Sequence, residues 1–323
     1  MLARRLAGGE PLAHRDFIEL GVAARRLGFV VRIKSNGHAL CGEMLRRIKT
    51  EIGPCQVEVS LHGARAETHD RQTRVPGSFS RLITNLSEMQ SVGLCARLHS
   101  VLTRWNEEEV EEMSAIADGF GVQLRFDPEV TPRDDGDLLP LTIRPSREGM
   151  LRLYRIEFAR GQAAANHGAG PQRRQVPAPR PDEASPAGPG KHCGAGSSGI
   201  AVDPYGSVYP RVQWRRSVGN LHRKSIREIW DGSPELQSIR RLTSEAAGIV
   251  SRYGSQGPLL AFCPGLATRI SHDPLSVYPG AKQRAEILEH VQSESRPMPL
   301  PHVSGARDQL LRRRKYASQR PTS

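Results

Sequence analysis

Polar residues collect where short β-branched runs end. Lys34, Ser35 and Asn36 close "FVVRIKSNG", Ser60 and His62 close "QVEVSLHG", His99 and Ser100 lie within "CARLHSVLT", and Arg125 and Asp127 lie in "VQLRFD". Gly8, Gly9, Glu10 and Pro11 hold the corresponding place ahead of the first helix-like stretch. A glycine pair lets backbone groups approach a ligand, and Glu10 offers a negative charge to an ammonium. Each has an ordinary reading as well: "GG" and "SNG" are common turns, and Ser60 can serve local backbone. The acidic run Asp134, Asp135 and Asp137 reads as a solvated loop that could also meet a substrate.

The elements that must position these residues follow from periodicity. "HRDFIELGVAARRLG" puts Phe17, Leu20, Ala24 and Leu27 on one helical stripe that stops at Gly28. "ALCGEMLRRIKTEIG", "GSFSRLITNLSEMQSVG" and "NEEEVEEMSAIADGFG" repeat the pattern, each followed by a strand. Four such units require parallel strands covered by helices, in a doubly wound sheet or a barrel-like (β/α) array, with ligands gathered at the strands' C-terminal ends. "LARRLA", ahead of Gly8, makes a poor strand, because Arg4 and Arg5 stand where a buried parallel strand wants apolar residues.

After Asp127 a proline-punctuated loop leads to one more helix with Ser146 as cap. Residues 161–192 are Pro/Gly/Ala-rich and read as a flexible linker. A small module opens at Cys193, with a hairpin around Asp203-Pro204-Tyr205-Gly206, a Ser225/Glu228 capping box and a helix begun by Ser233-Pro234. The expected division is 1–160, linker 161–192, module 193–290 and a disordered basic tail 291–323.

Of 323 residues, 46 are Lys or Arg and 34 Asp or Glu, for a net charge of +12. Arg312, Arg313, Arg314, Lys315 and Arg320 concentrate that charge in the tail, read as solvated, with polyanion contact as the alternative; nucleic acid is not the expected partner. Five cysteines behind no signal-like segment point to the cytoplasm, and no apolar run approaches the ~20 residues of a membrane span.

Taken in order, "GGEP" (Gly8 to Pro11), "KSNG" (Lys34 to Gly37), "VSLHG" (Val59 to Gly63) and "THDRQTRVPGSF" (Thr68 to Phe79) resemble the radical S-adenosylmethionine (radical SAM) enzymes. "CGAG" at Cys193, "GIAVDPYGSVYP", "VGNLHRKSIREIW" and "FCPG" (Phe262 to Gly265) look like the cysteine-rich SPASM module. The resemblance implies a partial (β/α)6 barrel lacking its first βα unit, with S-adenosylmethionine as cofactor. It implies that Gly8, Gly9, Glu10 and Pro11 meet the methionine ammonium, while Ser35, Asn36, Ser60 and Arg74 meet ribose and carboxylate, with Arg71 competing for the place of Arg74. It further implies a 4Fe-4S cluster and a peptide or protein substrate.

Cluster chemistry needs three thiolates, normally in a Cys-x3-Cys-x2-Cys loop, and this sequence has none. Cys41, Cys55 and Cys95 fall on separate elements and read as small buried hydrophobes. In the module Arg211 follows "VYP" where the family places a cysteine, leaving Cys193 and Cys263 as candidate metal ligands, too few to complete a four-ligand site unaided, with His192, His222 and His272 as candidate recruits and weak or no metal binding expected. The expectation is an N-terminally truncated, catalytically impaired radical SAM/SPASM-type maturase, its open barrel edge covered by a partner; the alternatives are a longer chain that restores the cysteine loop and a non-catalytic peptide- or protein-binding scaffold.

Overall fold

Five strands form one wholly parallel sheet in a computed structural model that describes residues 3–166 and 192–294. They are β1 (Ala3–Leu6), β2 (Val30–Ser35), β3 (Gln56–Ser60), β4 (Ala96–Val101) and β5 (Leu124–Asp127), each paired with its neighbour in sequence. Between them run α1 (Phe17–Arg26), α2 (Gly42–Arg47, continued by a π turn over Ile48–Ile52), α3 (Ala66–Thr73), α4 (Ser78–Ser91) and α5 (Val110–Gly119), and α6 (Arg147–Asn166) follows β5. A doubly wound sheet reverses its strand order at a switch point. Here the order never reverses, so the choice falls to the barrel-like array.

The strands alternate in burial. Val31, Ile33, Val57, Val59 and Leu98 are fully buried beneath the helices, whereas Arg32, Lys34, Glu58, Arg97 and His99 occupy the intervening positions on the opposite, concave face. Burying each such aliphatic side chain contributes about 1.5–3 kcal/mol, which fixes the register, because a one-residue slip would exchange the two faces. In β1 the same alternation accommodates Arg5 only: Leu6 sits opposite Ile33 and Arg5 opposite Arg32 on the other face, while Arg4 pairs with Val31. "LARRLA" is therefore a true edge strand.

Local signals hold where the chemistry is local. Gly28 (φ 81°) ends α1, Ser146 Oγ accepts from the Gly149 N–H at the start of α6, and Ser225 and Glu228 complete a capping box on α7 (Ile226–Gly232). Ser233 caps α8 (Pro234–Ser251) through the Leu236 N–H. The expected hairpin pairs β6 (Ala201–Val202) with β7 (Ser207–Tyr209), to which β8 (Gly219–Asn220) adds a third antiparallel strand.

Two apolar clusters result. Cys193, Ala195, Val208, Trp214, Val218, Ile229, Leu236 and Ile239 form the core of the small sheet. Phe262, Leu266, Tyr278, Ala281 and Ile287 instead share the core of the parallel sheet, because α9 (Pro264–Ser271) and α10 (Pro279–Glu294) return to it and α10 lies along α6. The expected linker begins within α6, and its remainder, 167–191, lies outside the described residues, as does the basic tail from residue 295. Among the described residues no helix is long and apolar enough to cross a membrane.

Candidate functional site

The loop after β1 is built around Glu10. Its Oε1 accepts from the Leu12 N–H (3.1 Å), which caps a short 3-10 turn begun by Pro11, and from Ser35 Oγ (2.9 Å) at the end of β2. Its Oε2 accepts from the Asn36 N–H (2.7 Å). Ser35 is 3% exposed and its oxygen also accepts from the Gly37 N–H, so one hydroxyl ties the two loops together. Gly37 must be glycine: its φ is 86°, and a Cβ would come within 2.7 Å of the Val59 side chain. Gly8 and Gly9 also have positive φ, but with open space where a Cβ would be, so their backbone is accessible from the solvent side.

Gly8, Gly9, Glu10, Pro11, Ser35 and Asn36 thus come together at adjacent strand ends. Ser60 closes β3 opposite His99 and has no described contact with that group. Arg74 is an exposed C-cap of α3 in left-handed conformation (φ 58°). Arg71, its rival, is stacked over the Trp105 ring at 4.4 Å.

The motif "THDRQTRVPGSF" has a local structural role. Asp70 accepts from the N–H groups of Gly77 (2.6 Å) and Phe79 (2.8 Å) and from Ser78 Oγ (2.8 Å), so it closes the turn into α4. Those bonds, with the Phe79 N–H foremost, hold its carboxyl below its ordinary range. Behind it, "LHG" is packed too closely for any side chain at Gly63, where a Cβ would lie 2.8 Å from the His69 nitrogen. His69 Nδ1 accepts from the His62 N–H (3.1 Å), and Gln72 bridges His62 Nδ1 to Thr103 Oγ1. Both histidines are pushed down to about 4, His62 by burial and then by the Lys34 charge, His69 by burial and then by His62.

A strand interior contributes one group that sequence reading missed, Glu58, as the partner of Lys34. Lys34 and Glu58 pair at 2.8 Å across β2 and β3; burial alone would raise the Glu58 carboxyl, but the Lys34 hydrogen bond and charge bring it below its usual value. Cross-strand partnership is a tertiary fact. The period-2 pattern, which put both residues on one face, was the only available hint.

The thiols do not gather. Cys41, Cys55 and Cys95 are exposed, contrary to the expectation of small buried hydrophobes: each stands at the end of an element, where the side chain escapes the core. Cys41 precedes α2, on the side of the strand ends that hold Glu10. Cys55 and Cys95 precede β3 and β4, at the opposite end of a five-residue strand, roughly 13 Å away. That arrangement cannot bind the three irons of one cluster. Cys193 and Cys263 do approach each other. Burial raises both thiols, Cys263 to about 11, so they are protonated, and Cys263 Sγ is 3.6 Å from Gln213 Oε1. His192 Nε2 is 2.5 Å from the Phe262 carbonyl oxygen, and the charge of Arg211 reaches both cysteines. Among the described residues no three His, Cys, Asp or Glu side chains could hold a metal ion. Among the described residues the donors present do not bring together the three thiolates that a radical SAM cluster needs.

The acidic loop is exposed, as expected, and it also carries ion pairs. Asp134 pairs with Arg215 and with Arg269 (3.4 Å), and Arg269 also donates to the Pro132 and Arg133 carbonyls. It joins the loop after β5 to the small module.

Residues 193–250 match the SPASM iron-sulfur cluster-binding domain. The mycofactocin maturase MftC of Mycobacterium ulcerans is 28% identical over 257 residues, 77% of this chain and 67% of that protein. The AdoMet-dependent heme synthase of Methanosarcina barkeri is 24% identical over 261 residues, 73% of this chain and 70% of its own length. This chain therefore spans about two thirds of these relatives. The solved structure of native anSMEcpe with bound AdoMet and Kp18Cys peptide superposes with a TM-score of 0.63 at 14% identity, over 90% of this chain and 83% of that one, a likeness of fold. In its parallel strand array, its Gly-Gly-Glu-Pro loop and its matched C-terminal module, the chain is similar to the radical SAM enzymes that carry a SPASM domain.

Proposed function

We propose that these 323 residues form a S-adenosylmethionine-binding, peptide- or protein-directed member of the maturase group that does not by itself assemble the cluster needed for reductive cleavage. The observation that carries this is the Glu10 carboxylate, oriented by Ser35, Asn36 and Leu12 beside the open Gly8–Gly9 backbone. A carboxylate so held offers its remaining lone-pair directions to an ammonium, and it needs no rearrangement to do so. Ser60 and Arg74 complete the proposed contacts on ribose and carboxylate. In the family, S-adenosylmethionine supplies an adenosyl group for radical hydrogen abstraction. Here Glu10, Ser35 and Asn36 would bind and orient it.

A peptide substrate is supported by the relatives' names, which include a mycofactocin maturase and PqqA peptide cyclases. The concave sheet face, lined by Lys34, Glu58 and His99, is the surface assigned to it. The outer edge of β1, the first strand of the described sheet, is assigned to a covering partner or segment, since an edge strand offers backbone donors and acceptors. We place the protein in the cytoplasm, in keeping with five unpaired cysteines. A second reading, a non-catalytic peptide-binding scaffold, is favoured specifically by the scattered thiols.

Isothermal titration of the anaerobic full chain with S-adenosylmethionine tests the reading. Saturable one-site binding is expected. Absence of binding in a folded sample would overturn it.

A further inference from the structure

Four arginines stack on aromatic rings among the described residues, and three of them are committed elsewhere. Arg240 over Trp230 donates to the carbonyls of Gly196 and Trp230, Arg215 over Tyr209 pairs with Asp134, and Arg284 over Tyr278 pairs with Glu129. Arg71, 4.4 Å over the Trp105 ring, differs: it is exposed, and none of its guanidinium N–H groups has a hydrogen-bond or ion-pair partner among the described residues. A guanidinium stacked through its flat face keeps its N–H edge open, and its side chain has already given up much of the freedom that binding would cost.

Both halves of the pair are held by buried polar groups. The Trp105 N–H donates to Thr103 Oγ1 (3.3 Å). Asn106, fully buried, accepts from the Thr103 N–H (2.8 Å) and donates to the carbonyls of Val101 (3.0 Å) and His62 (3.1 Å), so the turn after β4 is fastened to the end of β3. Gln72, next to Arg71, is fixed by its bridge between His62 and Thr103. Arg71 and Trp105 therefore stand at the C-terminal ends of β3 and β4, the side where ligands gather. S-adenosylmethionine does not account for the open edge. Its ammonium and carboxylate share one carbon, so with the ammonium on Glu10 the carboxylate stays near the end of β2, whereas Trp105 follows β4, two strand spacings or roughly 10 Å across the sheet.

We propose that Arg71, laid flat on Trp105, is a receiving site for a carboxylate of the peptide substrate. A guanidinium fork matches the two oxygens of a carboxylate and carries the single charge that balances it. This rests on the reading of a peptide as substrate and goes beyond it by naming the group that the peptide presents beside the ends of β3 and β4. An acidic side chain and a C-terminus supply the same chemistry.

The test uses the full chain labelled with 15N-tryptophan, whose three indole N–H signals report on three places, with W105F to assign the relevant one. The probes are acetyl-AAEAA-amide and acetyl-AAAAA with a free C-terminus, with neutral acetyl-AAQAA-amide and inorganic phosphate as controls, all at equal ionic strength. The Trp105 signal should shift saturably with a carboxylate peptide, the one that responds naming the source, and not with either control. The Trp230 signal should stay in place, because Arg240 beside it has its donors filled, and R71Q should weaken the Trp105 response about tenfold or more. A Trp105 signal that neither carboxylate peptide moves, that a control moves as far, or that R71Q leaves equally responsive overturns the inference. So does a loss of S-adenosylmethionine affinity in R71Q, which would give Arg71 to the cofactor's own carboxylate. S-adenosylmethionine binding by the wild-type preparation reports separately on the broader reading.

Discussion

Replacing Glu10 by glutamine keeps the side chain's size and removes its charge. The carboxylate accepts from three donors, with Leu12 N–H and Ser35 Oγ on one oxygen and Asn36 N–H on the other. An amide has a single acceptor, so whichever way it turns, either the Asn36 or the Leu12 N–H faces an NH2 group. One partly buried N–H then loses its acceptor, at a cost to stability of about 1 kcal/mol. A ligand ammonium loses more. Its hydrogen bond falls from the charged class, about 1.5–3 kcal/mol, to the neutral class, about 0.5–1.5, a difference of about 1–2 kcal/mol or roughly 5–30-fold in affinity. Isothermal titration of wild-type and E10Q protein with S-adenosylmethionine measures this, with 5'-methylthioadenosine, which lacks the amino-acid portion, as control. Unchanged S-adenosylmethionine affinity in E10Q would refute the assignment of Glu10. Equal weakening of both ligands would show a collapsed loop instead of a lost charge contact.

Removing one partner of the buried Arg284–Glu129 pair, as R284M, should lower unfolding free energy in urea by about 3–5 kcal/mol, and adding E129Q should restore much of it; an R284M protein as stable as wild type contradicts the pairing. His62 and His69 stay neutral in the folded chain, with values near 4 against an ordinary 6.5. Their contribution is present above pH 6.5 and is lost as pH falls toward 4, by about 3 kcal/mol per histidine, so H69N should flatten the fall in urea midpoint between pH 7 and pH 4.5; equal slopes in the two proteins would count against it. Chelator should leave the urea midpoint of aerobically purified protein unchanged, because the Cys193 and Cys263 thiols are protonated and lack further ligands; a large drop would reveal a structural metal.

Periodicity made the four helix–strand units legible, since a buried stripe at every third or fourth residue and an alternating strand are imprinted by the core itself. It also misjudged β1, a strand at the edge of the sheet: the rule that buried parallel strands are apolar throughout presumes helices on both faces, whereas the face that Arg5 shares carries Arg32, Lys34 and Glu58. The Glu10–Ser35–Asn36 group was legible because each member ends an element. Lys34–Glu58, Asp134–Arg215 and Arg284–Glu129 were not, because cross-strand register and contacts spanning 81 and 155 residues depend on packing that no local pattern encodes. Cys41, Cys55 and Cys95 were misread for a related reason: a cysteine's usual burial says little about a position one residue before an element begins.

Iron and product analysis on this polypeptide bears most directly on the central claim. After anaerobic reconstitution with iron and sulfide, then S-adenosylmethionine and a strong reductant, we expect the ligand to bind intact, iron to stay far below one cluster per chain, and no 5'-deoxyadenosine to form. Stoichiometric cluster iron together with 5'-deoxyadenosine from these same 323 residues would contradict it.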